Sequence, residues 1–205
     1  MTILSVNKTR DLMGAVRPFF VGCGPILRPI FLFQEILMKK RTRYLAHAAI
    51  IAALYAVLTH FQNILLPNSA SFAIQLRLSE TLCILAFFTP AAAVGLGIGC
   101  LIFNLTFAAA LPLDFLVGTL ASYLAGKAMW HTRNLTVKGY PLVGMLMPAL
   151  TNAILVGWEL TAYIGGGFWM NALYVAIGEA AVLLSLGTAL YYAMKKRGLD
   201  RVLFE

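Results

Sequence analysis

Glu80, Asp114, Glu159 and Glu179 stand in or beside long apolar runs, and they are the acids between Met38 and the C-terminal tail. An ionised carboxylate at the centre of a membrane helix costs about 2.5–3.5 kcal/mol on insertion scales. Such groups persist where they have partners, water or a ligand. Around them the chain carries the amides Gln75, Asn104 and Asn152, the cation Arg77 and the aromatics Trp158, Tyr163, Trp169 and Tyr174. Carboxylates and amides match the hydrogen-bonding edge of a flat heterocycle. Aromatic faces stack on such a ring and attract a cation. The set fits capture of a small, flat, polar ligand with positive charge. Several members have a plainer reading. Arg77 and Glu80, three apart, can simply pair. Asp114 can be a first-turn acid favoured by the helix dipole. Glu159 can be solvated at an interface, and Tyr163 and Trp169 can belong to an interfacial aromatic belt. Glu179 has the weakest such alternative, because it lies far into its apolar run.

No arrangement for bond-making chemistry accompanies these groups. His47, His60 and His131 are scattered, and neither HExxH nor GxSxG occurs. Gly126-Lys127 resembles the end of a phosphate-binding loop, but Ala121 and Ala128 stand where that motif needs glycine and a hydroxyl. Gly95, Gly97 and Gly99 follow no strand, so a dinucleotide fold is excluded. Cys23, Cys83 and Cys100 show neither paired nor metal-type spacing and read as reduced, structural cysteines. Met129, Met145 and Met147 read as packing. The expectation is a protein that is not an enzyme, with no cofactor and no metal.

The elements that position these groups are membrane helices. The 205 residues are 60% hydrophobic and 12% charged, about half the charge of a soluble domain. The fold class expected is all-α, an integral membrane bundle of six transmembrane helices, at about 44–61, a short second span that follows QLRLSE (75–80) and runs to about Phe88, then 91–109, 113–130, 140–160 and 169–194. Thr89-Pro90 breaks the second from the third, since proline disfavours helix in the residue before it. The net charge of +8 is gathered beside the spans, so it marks topology and not a nucleic-acid partner. Lys39, Lys40, Arg41 and Arg43 precede span one; Lys127, Arg133 and Lys138 flank the fourth-to-fifth loop; Lys195, Lys196, Arg197 and Arg201 follow span six. Six spans put all three clusters on one side, which places both termini in the cytoplasm. Residues 1–37, broken by Pro18, Pro25 and Pro29, do not match the rest. They are an interfacial leader, a partial membrane segment, or no native part of a protein that starts at Met38; the domain is expected over 38–205.

That topology puts the acids in the outer half of the membrane. Glu80 and Asp114 enter spans two and four from outside, and Glu159 closes span five. Glu179 lies about ten residues into span six, about 15 Å deep at about 1.5 Å per residue. Asn104 and Asn152 lie in the same half. Asn152 and Glu159 are two helical turns apart and share a face. The hairpin 152–179 is therefore expected to form one wall of an outward-opening polar site. In span one, alanines recur four apart at 48, 52 and 56 and at 49 and 53. Small residues let another helix approach closely, either from the same chain or from a partner.

The blocks QLRLSETLCILAFFTPAAAVGLGIGC, LPLDFLVGTLASYLAG, PALTNAILVGWEL and FWMNALYVAIGEA, in that order, resemble the queuosine-precursor transporter family (QueT). Its members are substrate-binding S components of energy-coupling factor transporters. The resemblance covers most of 38–205 and implies a six-helix component in the bacterial plasma membrane that captures a 7-deazaguanine, such as queuine or its aminomethyl precursor, from outside. It implies a membrane coupling protein (T component) and two cytoplasmic ATPases as partners. It also favours Ala48, Ala52 and Ala56 as the face toward the coupling protein. Two other classes stay open at this point: an S component for another vitamin or nucleobase-like ligand, and a membrane scaffold whose polar residues only lock helices. A membrane enzyme using two carboxylates is disfavoured by the different depths of Glu159 and Glu179.

Overall fold

The computed structural model describes the backbone over 27–66, 77–107 and 111–204, and the side chains within those ranges from Lys39 onward except at 201 and 202. Among the described residues the chain is helical, apart from one isolated bridge between Val137 and Tyr140 that closes the turn of the basic loop. The elements are α1 (Leu27–Leu65), a 3-10 helix (Leu78–Phe87), α2 (Ala91–Thr106), α3 (Asp114–Thr132), α4 (Leu142–Tyr163), α5 (Phe168–Val182), a π turn (Leu183–Gly187), α6 (Thr188–Lys196) and α7 (Leu199–Phe204). The chain divides into two units, Met1–Arg43 and Tyr44–Glu205. The described part of the first unit is the start of α1. Residues 1–26 of the expected leader lie outside the described residues. All contacts below belong to the second unit.

Three stretches are long and apolar enough to cross a membrane: Lys39–Leu65, Leu142–Tyr163 and Phe168–Lys196. The second expected span is a different object. Leu78–Phe87 is a 3-10 helix of 10 residues, about 20 Å long at about 2.0 Å per residue. That falls short of a hydrocarbon core about 30 Å thick. It is instead the hub of the bundle, touching α2, α3, α4, α5, the π turn and α6. Its residues Ser79, Glu80 and Leu82 through Phe87 are all buried. The helix stops where the sequence says it must. Thr89 is non-helical before Pro90, its hydroxyl accepts the Ala91 N–H at 3.3 Å, and α2 begins at Ala91.

Consecutive helices α2 to α5 pack on one another, and small residues set how closely. A Cβ on Gly99 of α2 would lie 2.6 Å from Tyr55 Cβ and 2.8 Å from the Ala52 carbonyl oxygen of α1; one on Gly95 would lie 2.7 Å from the Ala48 oxygen. α4 and α5 meet in the same way at Gly157, where a Cβ would come within 2.8 Å of Ala172 Cα. Ala48, Ala52 and Ala56 are thus buried against neighbours in the same chain. The expected partner face is filled internally, and the pair left outward on α1 is Ala49 and Ala53.

The buried core joins Ile51 and Tyr55 of α1 to the 3-10 helix, Leu96 and Cys100 of α2, Met129, Met145, Leu183 and Tyr191. Pro148 lies inside α4. Its ring removes one backbone bond, a loss tolerated in membrane helices where neighbours satisfy the freed group. The π turn begins four residues after Glu179. Gly187 at its end lets Ile84 of the 3-10 helix approach to 3.2 Å of the missing Cβ.

Candidate functional site

The hub carries the site. Arg77 and Glu80 open the 3-10 helix and are buried, at 4% and 0% exposure. Glu80 is held from two sides. Tyr55 of α1 donates its phenol O–H to Oε1 at 2.6 Å, and the Cys83 thiol donates to Oε2 at 3.0 Å. Gln62, one turn before the end of α1, accepts the Leu78 N–H at 2.7 Å and fixes where the 3-10 helix starts.

α3 and α2 supply the next part. Asp114 Oδ2 accepts the Leu111 N–H at 2.7 Å, and the Asp114 carbonyl accepts the Asn104 side-chain N–H at 2.6 Å. Asp114 therefore does serve the start of α3, as its plainer reading held, and it also faces inward. Gly118 makes room for this arrangement; a Cβ there would lie 2.8 Å from the Asn104 amide nitrogen.

α4 and α5 supply the remaining two carboxylates. Asn152 donates to Glu179 Oε1 at 2.5 Å, and both side chains are buried. Among the described residues Glu179 Oε2 has no hydrogen-bond partner. Glu159, two turns along α4 from Asn152, is also fully buried; its side chain meets that of Asp114, and among the described residues neither of its oxygens has a hydrogen-bond donor. Its charged neighbours are Asp114 and Arg77. An acid beside an acid, away from water, is favourable only when a proton or a cation lies between them. The fully buried hydroxyl of Ser79, next to Glu80, is unpartnered as well.

Arg77 ties these groups into one electrostatic unit. It interacts with Tyr55, Cys100, Glu80 and Asp114, and in turn with Glu159 and Glu179. Among the described residues, four buried carboxylates thus interact with one guanidinium. A buried oxygen without a donor costs about 1–3 kcal/mol, and more when charged. This arrangement is short of cationic donors, so it favours a ligand that brings N–H groups and positive charge. Among the described residues no group of His, Cys, Asp and Glu has an arrangement that would hold a metal ion.

The structure brings together Arg77, Glu80, Asn104, Asp114, Asn152, Glu159 and Glu179. Gln75 lies outside the described residues. Tyr174 is half-buried. Trp169 is 82% exposed and Trp158 and Tyr163 also face outward, which is where belt aromatics stand. Tyr55 is the buried aromatic that sequence reasoning missed, with Thr59 and Gln62 beyond it. A signal was present: Ala48, Ala52, Tyr55, Thr59 and Gln62 recur at four-three spacing, so one face of α1 turns polar toward its C-terminal end.

Residues 45–196 match a family model described as QueT transporter, which is more than half of the chain. The chain belongs to this family. No curated protein and no solved structure matches it. Family and helices agree: this is a membrane protein of a transporter family, with a cluster of inward polar groups at its hub.

Proposed function

We propose that the Arg77–Glu80–Asp114–Asn152–Glu159–Glu179 cluster is the cargo site of an S component that captures a queuosine precursor of the 7-deazaguanine class. The observation that carries this reading is the set of buried, donor-less oxygens on Glu159 and Glu179. A deazaguanine presents ring and amino N–H donors on one edge, which a carboxylate accepts side by side, and an aminomethyl arm adds a cation. Asn152, already bonded to Glu179, orients that carboxylate. Tyr55 and the half-buried Tyr174 are the aromatics best placed to border a flat ring.

The membrane reading is six passes through a bacterial plasma membrane with both termini cytoplasmic. Basic residues flank the start of Lys39–Leu65, the turn between α3 and α4, and the end of Phe168–Lys196, as one cytoplasmic side requires. The short 3-10 helix, covered by its neighbours, then counts as a pass whose backbone is satisfied inside protein. A T component and two ATPases drive release inward, and the outward pair Ala49 and Ala53 of α1 is the small-residue face left for a coupling helix.

Calorimetry on the purified protein tests the cargo. Queuine and the aminomethyl precursor are expected to bind, and common vitamins are not. Binding of a vitamin with no binding of either deazaguanine would overturn the assignment.

A further inference from the structure

The four carboxylates are not equivalent. Glu179 has the Asn152 amide as a donor and interacts with Glu80 and Arg77. Among the described residues Glu159 has no donor; the charged groups acting on it are Asp114 from α3 and Arg77 from the head of the 3-10 helix. Two subsites follow, with Arg77 common to both. Both have a member on α4, Asn152 and Glu159, on one face and about 10 Å apart along the axis. That separation matches a bicyclic heterocycle extended by a one-carbon arm.

We propose that the Glu159–Asp114 pair is an ammonium subsite, which selects a heterocycle carrying a primary amine over its neutral analogues. The proposal rests on the cargo reading above and names the charge of the ligand that reading takes. The physical ground is that Glu159 is fully buried, lies against a second acid, and has no donor of its own. Asp114 is already oriented by the Leu111 N–H, so the pair is fixed before ligand arrives. When the ammonium enters, both carboxylates accept its N–H donors. Arg77 acts on all four carboxylates, so its single charge does not balance the Glu159–Asp114 pair.

The test compares two ligands on the purified full chain by calorimetry: 7-aminomethyl-7-deazaguanine and its uncharged 7-methyl counterpart. The native protein is expected to bind the amine about tenfold tighter or more. Glu159→Gln is expected to abolish the preference, bringing the affinity for the amine to that for the methyl ligand. Asp114→Asn is the second variant and is expected to do the same. Equal affinities in the native protein, or a preference that survives both substitutions, would overturn the subsite. Loss of both ligands in both variants would assign the pair a structural role and overturn it as well. If the native protein binds neither ligand, the cargo reading itself falls, and this proposal with it.

Discussion

Glu179→Gln separates a cargo carboxylate from a structural one, because the two roles predict opposite signs. The substitution keeps shape, and a glutamine oxygen still accepts the Asn152 N–H that now reaches Glu179 Oε1 at 2.5 Å. It replaces a buried carboxyl group whose second oxygen is unpartnered among the described residues and which sits near Glu80. In the empty protein this takes away a buried acid beside a second acid, so stability holds or rises by about 1 kcal/mol. With ligand bound, the same change forfeits charge-assisted hydrogen bonds worth about 1.5–3 kcal/mol, a drop in affinity of about 10- to 150-fold. The assay is thermal unfolding in detergent alongside calorimetry with a deazaguanine. Unchanged or raised Tm with weakened binding supports the cargo role. A fall in Tm with unaltered affinity would refute the reasoning and leave Glu179 as a helix lock, which is what a scaffold protein predicts.

Other perturbations follow from the packing. Gly99→Ala sets a Cβ 2.6 Å from Tyr55 Cβ, about 1 Å inside ordinary contact. It should cost about 1–3 kcal/mol in detergent unfolding and weaken ligand binding through Tyr55. Gly97→Ala, whose nearest neighbour would be Tyr123 Cβ at 3.2 Å, serves as the milder comparison; equal effects would contradict the close α1–α2 contact. Ala53→Trp, on the outward side of α1, should block uptake by the assembled transporter in cells while calorimetry on the purified chain shows native binding. Ala52→Trp, buried against Gly99, should unfold the bundle instead. Trp169→Ala should leave ligand affinity within about twofold, since an exposed side chain costs little to truncate; a larger loss in calorimetry would bring that side chain to the cargo.

Much of the fold was legible because apolar helices announce themselves by length and by their breakers. The ends of α2, α3 and α4 fall within a few residues of their expected positions, at Pro90, Asp114 and Pro141. The 3-10 helix was not legible. Ten residues show too few repeats to separate an α from a tighter helix, and their hub position is set by six neighbours, of which α2 alone is near in sequence. The site was legible where polar residues marked a direction. In a soluble helix the apolar stripe points to the core, but here lipid and core are both apolar, so hydropathy gives depth and leaves rotation about the helix axis open. Asn152 and Glu159 supplied the missing rotation, since two polar groups on one face of an apolar helix must look at protein or ligand, and both are buried. Trp169 supplied none: an amphipathic ring is equally at home on lipid, and depth alone put it beside Glu179 when the helix turns it outward. The alanines of α1 had the same ambiguity. Only the polar residues that continue their stripe, Tyr55, Thr59 and Gln62, point to the interior, and they also lead to the phenol that grips Glu80. In a chain of this kind the direction of a face is therefore read from its polar members first, with small and aromatic residues assigned afterwards.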